Sequence, residues 1–368
     1  MNDNDLNMVA VIMAGGSGTR FWPLSTERRP KQFIALLDDR TLLQKSCDRL
    51  RGILPPERIL VITNDAYVNL AKEQLPEIPA VNIIGEPARR DTAAAVCLSA
   101  AIAKKRFGNP VVITVTADHI IEPVEQFRKT VLSAAKKARE SNALYTFAIK
   151  PTFPATGYGY LEMSESLGAD SGIAHFRVAR FKEKPNREMA QIYFTSGRHF
   201  WNSGMFAWNS DAILEEMRTH LFDHYHKIVS AVEYESTAAW PEKLREAFQD
   251  LESISIDYAV MEKATDVRCV AAEFMWSDVG GWIALKDFLQ CDDEGNHFKG
   301  KVHTYDASGN IVFSDDPNET LMLIGVDDIV AVRAGGKTLI ADKNRIEDIK
   351  KVVNMIERFE PRSMSTSA

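Results

Sequence analysis

Apolar runs rich in β-branched residues alternate with helical patterns through the first half of the chain. Between the runs, TLLQKSCDRLRGI begins with a Thr41 cap, and DTAAAVCLSAAIAKKRFG begins at an aspartate cap and ends at Gly108. Because strands and helices alternate, the sequence predicts a Rossmann-like α/β fold, a mostly parallel, mixed sheet flanked by helices. The runs typical of buried strands are MVAVIM (8–13), RILVIT (58–63), VNIIG (81–85), VVITVTAD (111–118) and ALYTFAI (143–149).

The second half of the chain is less regular, and its pattern changes near residue 290. Strands are expected at YGYLEM, VARFKEKP, WNSGMFAW and VRCVAAEF, with helices near 210–233 and 241–250. After Cys291, short strands alternate with turns, and a final amphipathic helix has one apolar face, formed by Ile346, Ile349, Val353 and Ile356. We therefore predict a larger domain at 1–290 and a small β-rich domain at 291–368 that ends in a helix.

Composition and charge restrict the class of protein. The 368 residues are 45% hydrophobic and 26% charged, as in an ordinary soluble globular protein. The net charge of −7 disfavours a general surface for nucleic acid or anionic membranes, and no apolar run approaches the ~20 residues of a membrane span. The start MNDNDLN lacks a signal-peptide layout, and the four cysteines are scattered. We expect a cytoplasmic protein with reduced thiols.

The stretch AGGSGTRFWPLSTERRPKQF (14–33) concentrates glycines and cations directly after the first predicted strand. Consecutive backbone N–H groups with few side chains in the way can wrap a phosphate closely, and the residues that would do so are Ala14, Gly15, Gly16, Ser17, Gly18 and Thr19. Arg20 and Lys31 would supply positive charge. A glycine turn with solvated cations beyond it is the alternative.

Two well-known glycine loops do not match this stretch. The dinucleotide fingerprint G-x-G-x-x-G requires glycine where Phe21 stands, after Gly16 and Gly18. The P-loop requires a glycine-lysine-hydroxyl triplet, which the stretch lacks. The broken fingerprint disfavours a nicotinamide-dependent dehydrogenase, and a distinct pattern remains: G-G-x-G-T-R, then Pro23, then Pro30-Lys31.

This pattern resembles the signature of the sugar-nucleotide pyrophosphorylases, nucleotidyltransferases that join a nucleoside triphosphate to a sugar 1-phosphate. The wording GGSGTRFWPLS…RPKQF is similar to the mannose-1-phosphate guanylyltransferase branch. Over about residues 8–290 the resemblance continues in order through GEPARRDTAAA (85–95), TADH (116–119), GYGYLEM (157–163), FKEKP (181–185), FWNSGMFAW (200–208), SIDYAVMEK (255–263) and WSDVGGW (276–282). The strands after them resemble the small C-terminal β domain of the family.

The resemblance implies transfer of GMP from GTP to α-D-mannose 1-phosphate, giving GDP-mannose and diphosphate. A sugar phosphate carries close to two negative charges at neutral pH, so it can attack without a base. Positioning and charge neutralisation then suffice for in-line transfer at the α-phosphorus. The implied catalytic residues are Arg20, Lys31, Asp118 and Lys184.

Two aspartates are the implied ligands of a Mg²⁺ cofactor. Asp118 ends a predicted strand, where open α/β sheets bind ligands, and Asp278 lies in WSDVGGW. Mg²⁺ needs only one or two protein carboxylates beside phosphate oxygens and waters. An aspartate after a strand is also a common helix cap, and it is the resemblance that assigns the metal role.

The resemblance places the sugar phosphate near FKEKP and WNSG. Glu183 is implied to bind sugar hydroxyls and Lys184 to hold the sugar phosphate, whereas charges that protect an exposed edge strand are the alternative. The Asn202 amide can both donate to and accept from sugar hydroxyls. Gly157 would allow the backbone to approach the sugar closely, although a glycine in a strand equally marks a bulge.

The segment GEPARRDTAAA resembles the family's purine-binding segment, with Glu86 and Pro87 as nucleotide-binding residues. Glu86 can accept hydrogen bonds from the N1–H and the exocyclic amine of guanine, a pairing that adenine does not reciprocate. The sequence departs from the family at Asp91, where asparagine is more common, and near Arg89, where a glycine is more common.

Two rival functions stay open on the sequence alone: a sibling nucleotidyltransferase for another sugar 1-phosphate or nucleotide, and a non-catalytic nucleotide-sugar sensor. Against the sensor stands a full charged set that binding alone would not require: Arg20, Lys31, Asp118, Lys184 and Asp278. An appended phosphomannose isomerase domain, found in some members, is not expected here. The expected partners are GTP and mannose 1-phosphate, without nucleic acid or membrane, and the sequence leaves a homodimer open.

Overall fold

The structure, a computed structural model, describes residues 6–16 and 18–359. The chain divides into two compact units. Unit 1 comprises the residues up to Gly15 and Leu43–Trp276, and unit 2 comprises Gly16–Leu42 and the residues from Ser277 onward. A compact unit need not fold on its own, so the domains predicted at 1–290 and 291–368 stay a prediction.

The strands and helices up to residue 277 follow the predicted alternation. The strands are β1 Met8–Ala14, β2 Ile59–Asn64, β3 Ile83–Glu86, β4 Val111–Thr116, β5 Ile120–Glu122, β6 Leu144–Ile149, β7 Tyr160–Asp170, β8 Ile173–Lys182, β9 His199–Asn209, β10 Val267–Ala272 and β11 Met275–Ser277. The helices are α1 Leu42–Arg51, α2 Val68–Gln74, α3 Asp91–Phe107, α4 Val124–Ser141, α5 Arg187–Ser196, α6 Ser210–His220, α7 Phe222–Val232 and α8 Trp240–Gln249.

One mixed sheet organises unit 1, in the strand order β3-β2-β1-β4-β9-β6-β10-β8-β7. β1 runs parallel to β2 and β4, and β2 runs parallel to β3. β9 lies between β4 and β6 and is antiparallel to both. The predicted fold, a mostly parallel, mixed sheet flanked by helices, is confirmed.

Helix α3 shows how the helices cover this sheet. Its residues 93–103 are all buried, six of them alanines, and these small side chains allow close packing against the sheet and against α6 and α7. Asp91 Oδ1 accepts a hydrogen bond from the backbone N–H of Thr92 at 2.7 Å, and the chain leaves the helix at Gly108 with φ 78°. The helix therefore begins and ends where the sequence predicts.

Unit 2 contains short strands that pair mostly in parallel. They are β12 Gln290–Cys291, β13 His297–Lys299, β14 Lys301–Tyr305, β15 Ile311–Ser314, β16 Thr320–Ile324, β17 Ile329–Ala334 and β18 Lys337–Asp342. β15 runs parallel to both β13 and β17, and β14 runs parallel to β16. Two buried asparagines join successive turns, since Asn310 Nδ2 donates to Asn296 Oδ1 at 2.9 Å. The predicted β-rich C-terminal region is confirmed.

A short helix, α9 Trp282–Leu285, precedes these strands, and α10 Ile349–Phe359 follows them. Ile346, Ile349 and Val353 are buried, as the amphipathic pattern predicts. The side chain of Ile356 lies outside the described residues. Among the helices that the structure describes, none is long and apolar enough to cross a membrane.

Candidate active site

Two glycines of the glycine-rich stretch have backbone conformations that favour glycine. Gly16 has φ 102° and Gly18 has φ 57°, a region that side-chain-bearing residues rarely adopt. A Cβ on Gly18 would also lie 2.6 Å from the backbone nitrogen of Lys31. Gly15 has neither restriction, since a Cβ there would meet nothing within 4 Å. Ser17, also predicted to bind nucleotide, lies outside the described residues.

These contacts predict that Gly18→Ala destabilises the protein whereas Gly15→Ala does not. Alanine at 18 would combine an unfavourable φ with a clash against the backbone of Lys31, at a cost of about 1–3 kcal/mol. Urea unfolding followed by tryptophan fluorescence measures the difference. Equal unfolding midpoints for the two alanine variants would show that the backbone at position 18 accommodates alanine without strain.

Three predicted residues that follow these glycines converge, all within unit 2. Thr19–Phe21 form one turn of 3₁₀-helix, and Arg20 Nη1 donates to the carbonyl of Gly280 at 3.1 Å. Lys31 Nζ donates to the carbonyl of Asp278. The structure thus brings Arg20, Lys31 and Asp278 into one cluster.

The WSDVGGW segment that carries Asp278 has a constrained backbone. Val279 is fully buried and has φ 40°, which is costly for a β-branched residue, and its N–H donates to Ser277 Oγ at 3.1 Å. Trp282 packs edge-on against Phe21, with ring centroids 5.1 Å apart. Strained backbone of this kind is common at functional sites, so the geometry is compatible with the predicted role of Asp278.

Asp118 lies in a turn of unit 1, two residues beyond the end of β4. The sequence placed it at the end of the strand, but the strand stops at Thr116, and a further strand follows in place of a helix. The helix-cap alternative is therefore wrong. Its carboxylate Oδ1 lies 3.7 Å from His119 Nε2, and Nδ1 of the same ring accepts a hydrogen bond from Trp276 Nε1 at 3.0 Å. His119 and Trp276, to which the sequence assigned no role, hold the surroundings of Asp118 in place.

Glu86 ends β3 with its side chain buried. Its Oε1 has no hydrogen-bond partner among the described residues. Burial raises the pKa of this carboxyl to about 8, and the negative charges of Asp65 and Asp91 add to the effect. A buried carboxyl oxygen without a partner is unfavourable, so Glu86 is suited to accept a hydrogen bond from a ligand.

Pro87 follows Glu86 but borders a different part of the surface. With Gly85 and Asp65 it lines a cleft of about 470 Å³ on unit 1, whose other walls include Lys72 and Trp240. Glu86 is not among the residues that line this cleft. Pro87 therefore lines this cleft, whereas Glu86 does not.

Glu183 and Lys184 follow directly on β8 and form an ion pair, with Lys184 Nζ 2.8 Å from Glu183 Oε1. At Phe181 and Lys182 β8 pairs with β7, whereas its pairs with β10 involve only residues 175–177, so the alternative of charges at an exposed strand edge stays open. Burial would lower the pKa of Lys184, but the bond and the charge of Glu183 outweigh it, and the pKa lies above its usual value. Lys184 is therefore a persistent cation, held at φ 44°.

Asn202, in the middle of β9, belongs to the same cluster in unit 1. Its Nδ2 donates to Asp257 Oδ1 at 3.0 Å, and its Oδ1 accepts from the Thr146 hydroxyl at 2.8 Å. Neither Asp257 nor Thr146 was singled out from the sequence, although Asp257 lies in the family segment SIDYAVMEK. The match of this segment to the family is the sequence feature that could have indicated Asp257.

A second glycine, missed at the sequence level, makes the close approach expected of Gly157. A Cβ on Gly159 would clash with Glu183 Oε2 and lie 3.4 Å from the Cβ of Asn202, whereas one on Gly157 would meet nothing within 4 Å. Gly157 lies before β7, so it marks no bulge. The absence of a side chain at Gly159 therefore leaves the space that the Glu183 carboxylate occupies.

The predicted metal ligands, Asp118 and Asp278, are carboxylates, which suit a hard cation such as Mg²⁺. Among the described residues, no group of three or more His, Cys, Asp or Glu side chains is arranged to hold a metal. Mg²⁺ does not need such a group, because phosphate oxygens and waters complete its octahedron. The Asp118 side chain, 35% exposed, is open to such a ligand.

Comparison with known proteins identifies the family. The sequence model of the nucleotidyl transferase family matches residues 9–294. The chain belongs to the nucleotidyl transferase family. The nucleotidyltransferase prediction is thereby confirmed.

The similar proteins of this family include guanylyltransferases. A mannose-1-phosphate guanylyltransferase of Escherichia coli (strain K12) is 39% identical over 354 residues, which are 94% of this chain and 73% of the relative. One of Salmonella montevideo is 39% identical over 353 residues, again 94% of this chain and 73% of the relative. A solved structure from Thermus thermophilus, called a mannose-1-phosphate geranyltransferase, has a TM-score of 0.85 at 32% identity and covers 96% of this chain and 100% of that chain. The resemblance inferred from the sequence is confirmed.

Proposed function

We propose that this nucleotidyltransferase transfers GMP from GTP to α-D-mannose 1-phosphate, giving GDP-mannose and diphosphate. The observation that carries the proposal is the 39% identity, over 94% of this chain, to a mannose-1-phosphate guanylyltransferase. We further propose that the enzyme acts in the cytoplasm, since its four cysteines are free of disulfides.

On the nucleotide side, the glycine-rich segment up to Thr19 would bind the triphosphate together with Arg20 and Lys31. Arg20 is exposed and offers a planar guanidinium, and Lys31 offers a compact charge on a flexible stem. Glu86 would accept from the N1–H and the exocyclic amine of guanine. These residues orient the α-phosphorus and neutralise charge that develops on the leaving diphosphate.

Asp118 and Asp278 would hold Mg²⁺. Both are carboxylates, the ligands that this ion prefers in proteins. When bound, the ion stabilises negative charge on the phosphates.

On the sugar side, Lys184 would bind the phosphate of mannose 1-phosphate, while Glu183 and Asn202 would bind the sugar hydroxyls. The phosphate oxygen needs no base, because it is already ionised at neutral pH. Lys184 is suited to hold it in line with the α-phosphorus, because its ammonium group stays charged.

A matrix assay tests the proposed function. Release of diphosphate is measured for four nucleoside triphosphates against several sugar 1-phosphates, with Mg²⁺ present. We expect the highest kcat/KM for GTP with mannose 1-phosphate. A clear preference for another pair would assign the chain to a sibling activity, and no turnover with any pair would favour a sensor.

The pKa of Glu86 predicts a pH dependence of GTP affinity. Below pH 8 the carboxyl is mostly protonated in the free enzyme, whereas hydrogen bonds from guanine favour the ionised form. GTP binding should therefore release a proton, and affinity should increase as the pH rises from 6.5 towards 8, by up to about tenfold. Isothermal titration calorimetry in buffers of different ionisation enthalpy measures the proton release. Glu86→Gln should abolish it, and an unchanged release in this variant would exclude Glu86 as its source.

A further inference from the structure

The hydrogen bonds of Asn202 fix the orientation of its amide. The backbone N–H of Gly204 donates to Asn202 Oδ1 at 3.3 Å, and this group can only donate. On the other side Asn202 Nδ2 donates to Asp257 Oδ1 at 3.0 Å. An exchange of the amide oxygen and nitrogen would lose the first bond and place two oxygens face to face in the second.

These bonds also limit what Asn202 can offer a ligand. An amide oxygen accepts about two hydrogen bonds, and two donors approach it here: the N–H of Gly204 and the Thr146 hydroxyl, whose single hydrogen is shared with the Met205 carbonyl at 3.2 Å. An amide nitrogen has two hydrogens, and Asp257 accepts one of them. A single N–H therefore remains for a sugar hydroxyl. We therefore expect Asn202 to donate a hydrogen bond to a sugar hydroxyl and not to accept one from it.

Asp257 begins a five-residue π-helical turn, Asp257–Met261, a geometry that often occurs at functional sites. The same segment also positions Glu183, since the backbone N–H of Glu183 donates to Glu262 Oε1 at 3.2 Å. The turn and Glu262, which directly follows it, therefore contact both residues proposed to bind sugar hydroxyls.

We propose that Asp257 is a positioning residue of the sugar site, which acts by fixing the Asn202 amide so that one N–H stays available to a hydroxyl of the sugar 1-phosphate. The inference rests on the proposed function of the same site. Asp257 need not touch the sugar, because its effect passes through the hydrogen bond to Asn202.

The charges around Asp257 make its effect depend on pH. Burial raises the pKa of Asp257 to about 7, the negative charge of Glu183 adds to this, and Lys184 and the Asn202 amide oppose it. Tyr258, which lies in the same π-helical turn as Asp257, is another titratable group close to Lys184. An ionised Asp257 can only accept and so adds to the Gly204 bond in holding Asn202 in its orientation, whereas a protonated one can also donate and adds less to that preference. Affinity for the sugar 1-phosphate should therefore rise as the pH passes upward through 7.

The experiment compares Asp257→Asn and Asp257→Ala with the wild type, and with Asp266→Asn as a matched control. Asp266 is an exposed carboxylate nearby in the chain that pairs with Arg268 at 2.8 Å. KM values for mannose 1-phosphate and for GTP are measured from pH 6 to pH 8, with circular dichroism to check folding. In parallel, the side-chain amide resonance of Asn202, assigned with Asn202→Asp, is followed by NMR over the same pH range.

We expect Asp257→Ala to raise the KM for mannose 1-phosphate about tenfold and to leave the KM for GTP within about twofold. Asp257→Asn keeps an acceptor but cannot ionise. The ratio of its KM at pH 6 to its KM at pH 8 should therefore be smaller than the wild-type ratio, by about threefold or more. The ionisation of the substrate is common to both proteins and cancels in this ratio. The Asn202 resonance should titrate near pH 7 in the wild type and not in Asp257→Asn.

A pH profile of Asp257→Asn equal to that of the wild type would overturn the proposal, as would an Asn202 resonance that does not titrate. If Asp257→Ala fails to fold, the pH profile of Asp257→Asn and the NMR titration still test whether Asp257 positions Asn202. Absence of GDP-mannose synthesis in the wild type would instead refute the proposed function, and the NMR result would stand apart from it.

Discussion

Asp118→Ala should lower the kcat for GDP-mannose synthesis by about 100-fold or more while the protein stays folded. Loss of a group that merely orients a metal ligand costs about 10- to 100-fold, so loss of a ligand should cost at least as much. Folding should survive because the side chain is 35% exposed and lies in a turn beyond β4. Asp278→Ala should show a loss of similar size.

The matched control is Asp211→Ala, which removes an exposed carboxylate that pairs with Lys104 at 2.7 Å on the surface. Initial rates are measured over a range of Mg²⁺ concentrations, and melting temperatures are recorded for all variants. The Asp118 and Asp278 variants should need far more Mg²⁺ for half-maximal rate than the control. A wild-type Mg²⁺ dependence in either variant would remove that residue from the metal site.

Lys184→Met should raise the KM for mannose 1-phosphate by roughly 10- to 100-fold, with a much smaller effect on the KM for GTP. Methionine keeps the length and the apolar stem but removes the ammonium group. Loss of one charge-assisted hydrogen bond costs about 1.5–3 kcal/mol, which corresponds to that range. A fall in kcat should accompany it, because the same charge holds the attacking phosphate in line.

Lys182→Met is the matched control for this variant, since Lys182 is the exposed last residue of β8, two positions away. Lys184→Met also leaves Glu183 without its cation, so its fold is checked by circular dichroism. If GTP affinity falls while affinity for the sugar phosphate holds, the two substrates have been assigned to the wrong residues. If both lysine variants behave alike, the effect is one of general surface charge.

The local pattern of the sequence was enough to predict most elements of the sheet. Buried strands such as β1 and β4 consist of continuous runs rich in β-branched residues, and the ends of α3 carry residues with conformational preferences of their own, Asp91 and Gly108. Such preferences act within a few residues, so they can be recognised without the fold. The family motifs added the likeness to guanylyltransferases, which the comparisons confirm.

The contacts that assemble the sugar site could not be predicted in this way. Asp257 and Asn202 are 55 positions apart in sequence, and Thr146 is 56 positions from Asn202. Asn202 meets Thr146 because β9 pairs with β6, a long-range choice that the pattern of either strand leaves open, and Asp257 reaches Asn202 from a turn outside both strands. The requirement for glycine at 159 likewise depends on where Glu183 lies in the fold.

The sequence by itself determined the α/β class, the run of strands and helices, and the residue types available for phosphate chemistry. Only the tertiary structure decided which of these residues share an environment. Burial beside Asp65 and Asp91 gives Glu86 a pKa of about 8, and the hydrogen bond that Asn202 donates to Asp257 leaves its amide one further N–H. The physical reason is that burial, hydrogen-bond occupancy and pKa depend on neighbours in space, and strand order brings those neighbours from distant parts of the chain.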